Sequence, residues 1–471
     1  MRRWGLPLLG AALLLGGCTM IPKYSRPEPP VPPSWPEAVA PAGEPEGPAA
    51  ADTDWQDFFT DARLRSVIET ALANNRDLRV ATLYVEKAEA LYRIQRAAVR
   101  PGVGIQAIAE RYRVPEKVSD SGNAYTVDQY SVQVGTIAWE LDFFGRIRSL
   151  KAAALEQYLA TEQGRIAARI SLIAGTARAW LALAADAEGY QLARETLEAQ
   201  QASLDLIRKS AEMGITSDLD LRQAESLMEA ARADVARFAG FTAVDRNMLD
   251  LLAGTTIAED LLPGGLTEVT GRDALAPGLP SEVLLRRPDI LAAEHELKAM
   301  NANIGAARAA FFPRIALTGG AGTMSANLSD LFGSGTRTWT FTSNLITPIW
   351  VSGSLIQKVK VAKVDREIAV ARYEKAIQVA FSEVADSLTL RSTLVEQREA
   401  QEALVRALEE TYQLYDARYK AGIDGYLGVL VAQRALLAAQ HILVLVRLNE
   451  QANLVTLYEA LGGGATEEQE P

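Results

Sequence analysis

Two very long stretches without proline constrain this fold more than any other feature of the sequence. No proline occurs between Pro115 and Pro263, and none occurs between Pro348 and the terminal Pro471. Because a proline inside a helix costs about 3 kcal/mol, these spans permit helices of unusual length. Apolar side chains recur within them at the alternating spacings of four and three that form a coiled-coil seam. They are Ile166, Ile170, Ile173, Ala177, Trp180, Ala184 and Ala187, and later Ile377, Phe381, Val384 and Leu388. The first seam predicts a helix over 145–213 that is roughly 100 Å long.

Short segments that alternate between two residue types interrupt the helical pattern in two places. The clearest runs from Thr338 to Thr342, where threonines alternate with Trp339 and Phe341. Such alternation indicates a strand with two different faces. Separated by loops rich in glycine and serine, these segments predict two β-hairpins, over 103–138 and 315–346.

The two halves of the chain repeat one another. Asn75-Arg76-Asp77-Leu78 in the first half matches Arg287-Pro288-Asp289-Ile290 in the second, and Met213-Gly214-Ile215 matches Ala421-Gly422-Ile423 at nearly the same offset. Repetition on this scale predicts that each half folds as helix, hairpin, long helix, turn and long helix.

This repeat divides the whole chain. We predict a signal peptide over 1–17, an extended N-terminal strap over 18–54, a first repeat over 55–262, a second repeat over 263–464 and an acidic tail over 465–471. The predicted long helices are 145–213 and 217–253 in the first repeat, and 353–421 and 425–461 in the second, which begins with a helix over 281–311. The strap cannot be helical, because ten prolines fall between Pro22 and Pro48.

The N-terminus predicts export and lipidation. Arg2 and Arg3 precede an apolar run over 6–15, which is the order of a secretory signal peptide. Leu15-Gly16-Gly17-Cys18 then resembles a bacterial lipobox, in which the cysteine carries the lipid. Cys18 is the only cysteine in the chain, so we expect a covalent lipid there and no disulfide. The alternative is an ordinary signal peptide with an incidental cysteine. Thr19, which is not acidic, favours the outer membrane.

If the chain crosses a membrane, the sequence predicts that strands cross it. The most apolar later segment, 427–448, is interrupted by polar and charged residues such as Arg434 and Arg447, and a spanning helix needs about 20 apolar residues. Two hairpins would leave open sheet edges in lipid, where unpaired backbone groups are not tolerated. Three copies would supply twelve strands, enough to close a barrel with a wet lumen. A homotrimer is therefore expected.

Composition argues against several other functions. The net charge is -11 and the pI is about 5.1, so no basic face for nucleic acid is expected. The two histidines, His295 and His441, are far apart in the sequence and cannot form a zinc cluster with the lipidated Cys18. No nucleophile motif accompanies them, so we expect no enzyme and no cofactor other than the lipid, with His295 facing solvent or packing on a neighbour.

Several longer stretches resemble one family. They are Asn74-Asn75-Arg76-Asp77-Leu78-Arg79, Trp139-Glu140-Leu141-Asp142, Phe144-Gly145-Arg146, and residues 156–163, 285–290, 304–313 and 458–464. With the lipobox, the chain resembles throughout its length the OprM branch of the TolC-type outer-membrane factors, the NodT-type efflux lipoproteins. The resemblance implies a mainly α fold with a membrane β-barrel part: a trimer with a twelve-stranded barrel, a coiled-coil helical tunnel in the periplasm and an equatorial domain. It also implies an inner-membrane pump, expected to be of the RND type, and a periplasmic membrane-fusion adaptor as partners.

The two helix–turn–helix tips are the expected gate. Gly214 and Gly422 stand where a long helix must stop and suit left-handed C-caps. Ser217 and Asp220 have the spacing of a capping box, and Asp424 is expected to cap the second tip. The resemblance implies that the tips close the tunnel. The matching positions are Asp218, Asp220 and Arg222 on the first tip and Tyr419, Leu427 and Arg434 on the second.

One departure from the family pattern concerns that gate. Relatives often have an aspartate where this chain has Val431, so an expected Asp–Arg closing contact is missing, and Arg434 would need a carboxylate from the first tip. The alternative for all these charges is that they are ordinary solvated helix ends.

Three functions are compatible with this fold prediction: a duct for small-molecule efflux, a duct for protein secretion, and a coiled-coil scaffold without a channel. A scaffold would not need the alternating strands. The lipobox and the family motifs favour an outer-membrane exit duct for efflux.

Overall fold

Very long helices dominate the computed structural model, which describes residues 19–35, 53–270 and 284–464. The helices are α1 Trp55–Phe58, α2 Ala62–Asn74, α3 Arg76–Ala97, α4 Arg146–Glu212, α5 Asp218–Ala253, α6 Pro288–Ala309, α7 Ser354–Lys420 and α8 Tyr426–Ala460. The strands are β1 Gly104–Val114, β2 Tyr125–Leu141, β3 Arg314–Ser325 and β4 Arg337–Ile346. The predicted signal peptide, Cys18, the strap beyond Trp35 and the acidic tail lie outside the described residues.

The predicted coiled-coil seams are buried. In α4, Ile173, Ala177 and Trp180 are fully enclosed, and in α7 the same holds for Ile377 and Val384. Both helices have 67 residues, because no proline or glycine cap stops them earlier.

One predicted helix is interrupted. A continuous helix over 281–311 was expected, but α6 begins only at Pro288, and residues 281–283 lie outside the described part. Proline disfavours the helical conformation of the residue before it and fits the first helical position, since its missing N–H is not needed there. The break before Pro288 leaves Arg287 free to reach the carbonyl of Ala460, which accepts from Nη1 at 2.7 Å.

The chain divides into two compact units, and α3, α4, α6 and α7 each contribute residues to both. The first unit contains an antiparallel sheet in the order β1-β2-β3-β4. Cross-strand partners share a face, so Ile105, Val134, Ala321 and Trp339 form one apolar row across all four strands. The next row holds Gln106, Gln133, Gly322 and Thr338, and Thr340 on the same face donates to the Gln133 side chain at 3.1 Å. The sheet therefore has one apolar and one polar face.

The beginning of the strap is fixed to α6 within the first unit. Glu294, which is buried, accepts from both Tyr24 at 3.1 Å and Arg26 at 2.6 and 3.0 Å. Asn301 donates to the carbonyl of Pro22 at 2.8 Å. Burial raises the pKa of the Glu294 carboxyl, but the hydrogen bonds from Arg26 and Lys298 outweigh it and hold that pKa below its usual range. Residues 19–35 contain neither helix nor strand, as the prolines predict.

The second unit has an aromatic core. Phe58 of α1 and Tyr458 of α8 stack with ring centroids 4.0 Å apart, and Phe59 packs beside them. Tyr458 donates to the carbonyl of Thr53 at 2.9 Å. Segments from α1 and α2, from the linker after α5 and from the end of α8 meet in this one cluster.

Two described helices, α4 and α8, are long and apolar enough to cross a membrane by length and composition alone. This differs from the expectation that no later segment would qualify, because each helix contains an apolar stretch of 18 residues with at most two charges rather than a strictly apolar run. Such a match is weak evidence of a span, since the core helix of a soluble protein meets the same test. Trp180 and Leu181 of α4 and Val455 and Leu457 of α8 lie in the shared core of the second unit, so their apolar character is used in packing.

Candidate gate at the helix tips

The two tips, both in the second unit, have the same turn. At the first, Gly214 has a φ of 73° and the N–H of Ile215 donates to the carbonyl of Ser210 at 2.9 Å. At the second, Gly422 has a φ of 71° and the N–H of Ile423 donates to the carbonyl of Arg418 at 2.9 Å. This is the Schellman motif, which needs a left-handed residue after the helix, and glycine adopts that conformation without strain.

The helices that follow the two turns are capped differently. Ser217 caps α5 in a complete capping box, with Asp220 as the reciprocal partner. At the second tip, the expectation that Asp424 caps α8 is wrong: the cap residue is Gly425, which has no side chain to accept a hydrogen bond. Asp424 instead accepts from both Nε and Nη2 of Arg418, because a bidentate ion pair is the stronger use of its carboxylate.

An apolar cluster lies immediately behind the turns. Leu204 and Ile207 of α4 pack with Ala224 of α5 and with Tyr426 and Leu430 of α8. The rings of Tyr419 and Tyr426 are 5.1 Å apart, and Tyr415 packs so closely on Gly428 that a Cβ there would be 2.6 Å from the ring. This packing joins the helix pair α4–α5 to the helix pair α7–α8 near the tips of one chain.

Two of the predicted gate residues lie close together across the tips. Tyr419, at the end of α7, is half-buried on the apolar cluster, and Asp220 belongs to the cap of α5. Burial raises the pKa of the Tyr419 hydroxyl, and the nearby Asp220 carboxylate raises it further. The neutral phenol is thus the form present at physiological pH, and it can donate a hydrogen bond.

The remaining tip residues are not brought together within one chain. Arg222 pairs with Glu225 on its own helix at 2.8 Å. Asp218 occupies the first turn of α5, where its negative charge interacts favourably with the helix dipole. Leu427 is 59% exposed and Val431 is 61% exposed. These exposed apolar side chains on α8 can therefore contact another molecule.

Arg434 makes no ion pair among the described residues. It lines a cavity between α4, α5 and α8 together with Asp234 of α5, but Asp234 is bound by Arg237 on its own helix at 2.9 Å. Among the described residues of one chain, no carboxylate of the first tip pairs with Arg434, and the Asp234 carboxylate further along α5 is already engaged.

Sequence reasoning missed several tip residues. Arg418 with Asp424, and Lys420 with Asp416, form ion pairs that brace the second turn. The pair of opposite charges on either side of Gly422 was a usable signal. Tyr415 and Tyr426 were missed because their packing partners are a glycine and side chains on other helices.

No group suited to a metal was found in residues 19–35, 53–270 and 284–464, where no three His, Cys, Asp or Glu side chains cluster. His295, expected to face solvent or pack on a neighbour, lies with Nδ1 at 2.6 Å from a carboxylate oxygen of Glu156.

The sequence model of the outer membrane efflux protein family matches residues 67–255 and 279–463. The chain belongs to this family. The two matched segments correspond to the two halves of the internal repeat, and each contains one hairpin and one helix tip.

Curated relatives and solved structures agree with this assignment. The efflux protein is 45% identical over 462 residues to the antibiotic efflux pump outer membrane protein ArpC of Pseudomonas putida, covering 98% of this chain and 95% of ArpC. A membrane protein from Pseudomonas aeruginosa is 40% identical, with a TM-score of 0.88 over 94% of this chain and all of that one. The open state of the MtrE outer membrane channel of Neisseria gonorrhoeae is 38% identical, with a TM-score of 0.86 over 96% of this chain and all of that one. The chain is an outer-membrane efflux protein with the fold of TolC-type channels.

Proposed function

We propose that three copies of the efflux protein close a twelve-stranded barrel and form a passive exit duct in the outer membrane. The observation that carries this proposal is the sheet of the first unit. Its outer strands, β1 and β4, each pair on one side only within the described residues. Unpaired strand edges are not stable in lipid, so each edge requires a strand from another chain.

The two faces of the sheet support the same arrangement. Trp339 and Phe341 are 76% and 65% exposed in the isolated chain, which suits a surface that contacts lipid. Gln133 and Thr340 are hydrogen-bonded to each other on the opposite face, which suits a water-filled lumen. Alternation of apolar and polar residues along a strand is what a barrel wall in a membrane requires.

The duct would receive its cargo from partners. Membership of the efflux family and the similarity to ArpC, which is named as part of an antibiotic efflux pump, support docking to an inner-membrane pump, of the RND type, through a periplasmic membrane-fusion adaptor. A lipid on Cys18 would anchor the strap in the outer membrane. The cargo is a small molecule, and the duct itself needs no cofactor.

The gate of this duct would be the pair of helix tips. Tyr419 beside Asp220, together with Leu427, Val431 and Arg434 on α8, would make the closing contacts, part of them between copies. A neutral hydrogen bond contributes about 0.5–1.5 kcal/mol, so a few such contacts hold the tips closed and a docked partner can still open them.

The gate is tested by the conductance of purified protein in planar bilayers. We expect Arg434→Ala and Tyr419→Phe to raise the conductance, because each removes a closing contact. Arg232→Ala is the matched control, since Arg232 is an exposed arginine of α5 that pairs with Glu229 of the same helix. If the two gate variants conduct like the wild type and the control, the tips do not form the gate.

The cellular role is tested by drug susceptibility, and the anchor is tested by lipid labelling. A deletion strain should become sensitive to exported compounds, and the wild-type gene should restore resistance. Labelling with radioactive palmitate should mark the wild-type protein and leave the Cys18→Ser variant unmarked. Unchanged susceptibility on deletion would argue against efflux, while labelling of the Cys18→Ser variant would place the lipid elsewhere.

A further inference from the structure

A cavity of about 280 Å³ lies between α4, α5 and α8 in the second unit. Two polar atoms of its lining residues, Oε1 of Gln200 and Nε2 of His441, are buried and have no hydrogen-bond partner in the part of the chain that the structure describes. Gln200 is only 4% exposed. Leaving a buried polar group unpaired costs about 1–3 kcal/mol, so such groups in a native protein call for an explanation.

The charges around the cavity favour an anion. Arg434 lines it and has no ion pair among the described residues, whereas the Asp234 carboxylate is already neutralised by Arg237. A molecule entering the cavity therefore meets one uncompensated positive charge and no uncompensated negative one.

The cavity is large enough for a small organic molecule, and alongside Thr196, Ser226 and Gln433 its lining has an apolar part. Leu227, Ala231 and Leu437 contribute to it. A cavity of about 150 Å³ holds benzene, so the observed volume has room for a ring or a short alkyl chain together with one polar group.

The His441 ring is held firmly in place. It stacks on Phe238 of α5 with the centroids 5.1 Å apart, and Phe238 in turn packs against Gly189 of α4, where a Cβ would be 2.6 Å from the ring. The unpartnered nitrogen is thus positioned by packing across three helices before any ligand arrives.

We propose that this cavity binds small monocarboxylates with an aromatic or alkyl body. The carboxylate is held by Arg434 with the Gln200 amide and the His441 ring, and the body packs on the apolar lining. The oxygen and nitrogen of an amide exchange places by rotation of the side chain, so Gln200 donates as readily as it accepts. The site lies within one chain, and Arg434 is the one residue that it shares with the proposed gate.

Binding of benzoate to the purified, full-length protein in detergent tests the proposal by isothermal titration calorimetry. We expect saturable binding that weakens at least about tenfold in Gln200→Leu and in Arg434→Gln, the loss for one charge-assisted hydrogen bond. Ala230→Phe, which fills the cavity from an exposed position of α5, should abolish binding and serves if Gln200→Leu does not fold. Gln201→Leu is the matched control, because Gln201 is exposed and bonds Asp205 on its own helix.

Two neutral or cationic analogues define the charge requirement. Benzyl alcohol and benzylamine should bind at least about tenfold more weakly than benzoate, because neither pairs with Arg434. Absence of saturable benzoate binding, equal binding by Gln200→Leu and the wild type, or equal binding of benzylamine would overturn the proposal. The cavity would then hold water only.

Discussion

At the scale of single residues, a glycine decides whether the strap can lie on α6. A Cβ at Gly305 would come within 2.7 Å of both the backbone nitrogen of Ile21 and the Ser149 hydroxyl. Overpacking of this kind costs about 1–3 kcal/mol. We expect Gly305→Ala to release the strap, so that trypsin cuts faster after Lys23, as measured by mass spectrometry of timed digests.

A second glycine provides the control for that substitution. Gly164 is exposed on α4 and has nothing within 4 Å of the place where a Cβ would stand. Gly164→Ala should leave the digestion unchanged and stabilise the helix by about 0.5–1 kcal/mol. Equal protection of the strap in both variants would show that Ile21 does not depend on the space at Gly305.

His441 makes stability depend on pH. Burial is the main cause that lowers the pKa of its imidazole; Asp234 raises this pKa and Arg237 lowers it. The unfolded chain binds a proton at about pH 6.5, whereas the folded site remains neutral to lower pH. The free energy of unfolding therefore falls as the pH decreases through this window.

Substitution of that histidine removes the effect. We expect His441→Asn to lose less thermal stability than the wild type between about pH 7.5 and about pH 5.5, measured by differential scanning calorimetry. An identical pH dependence in the two proteins would mean that other groups are responsible for it.

At the scale of elements, the two tips share a turn but differ in how the next helix starts. The capping box of Ser217 satisfies backbone N–H groups at the start of α5. The helix α8 begins after Gly425, which has no side chain to cap it, so the corresponding N–H groups are left to water. Ser217→Ala should destabilise the start of α5 by about 1 kcal/mol, and Gly425→Ser should stabilise α8 by a few tenths. Hydrogen exchange of the tip amides measures both. Slower exchange at α5 in Ser217→Ala would contradict the role of this cap.

The sequence predicts the elements well because each depends on local periodicity. Ile173 and Trp180 reveal the α4 seam through their spacing, and Trp339 and Phe341 reveal β4 through alternation. The partners of the second tip could not be predicted in the same way. Asp424 has the right position for a cap and binds Arg418 instead, and the choice between two local partners is settled by geometry that spacing does not encode.

Long-range contacts could not be predicted from the sequence for a different reason. Nothing in the sequence around Arg26 or Glu294 indicates that the two residues form an ion pair, because only the fold brings them together. The same applies to Gln200 and His441, whose unpartnered atoms belong to different helices. The bulge in β2, between Thr136 and Trp139, was likewise invisible, because it shifts the pairing without changing the residue types.

At the scale of the whole molecule, the two faces of the sheet should respond differently to charge. In the proposed barrel, Phe341 contacts lipid and Thr340 contacts water. An arginine facing lipid costs about 2–4 kcal/mol near the middle of the membrane and little in the lumen. We expect Phe341→Arg to lower the temperature at which the trimer dissociates on unheated SDS gels, while Thr340→Arg leaves it nearly unchanged. The opposite order would reverse the assignment of the two faces.

The fixed strap has a consequence for the proposed anchor. The carbonyl of Met20 accepts from Arg308 near the end of α6 at 3.4 Å, and β3 begins shortly afterwards at Arg314. Cys18 lies only two positions before Met20, which is at most about 7 Å of extended chain. A lipid on Cys18 would thus be unable to move far from the position of Met20. Its acyl chains would enter the bilayer next to the end of the barrel at which β3 begins. The anchor would therefore fix the height at which the protein sits in the membrane.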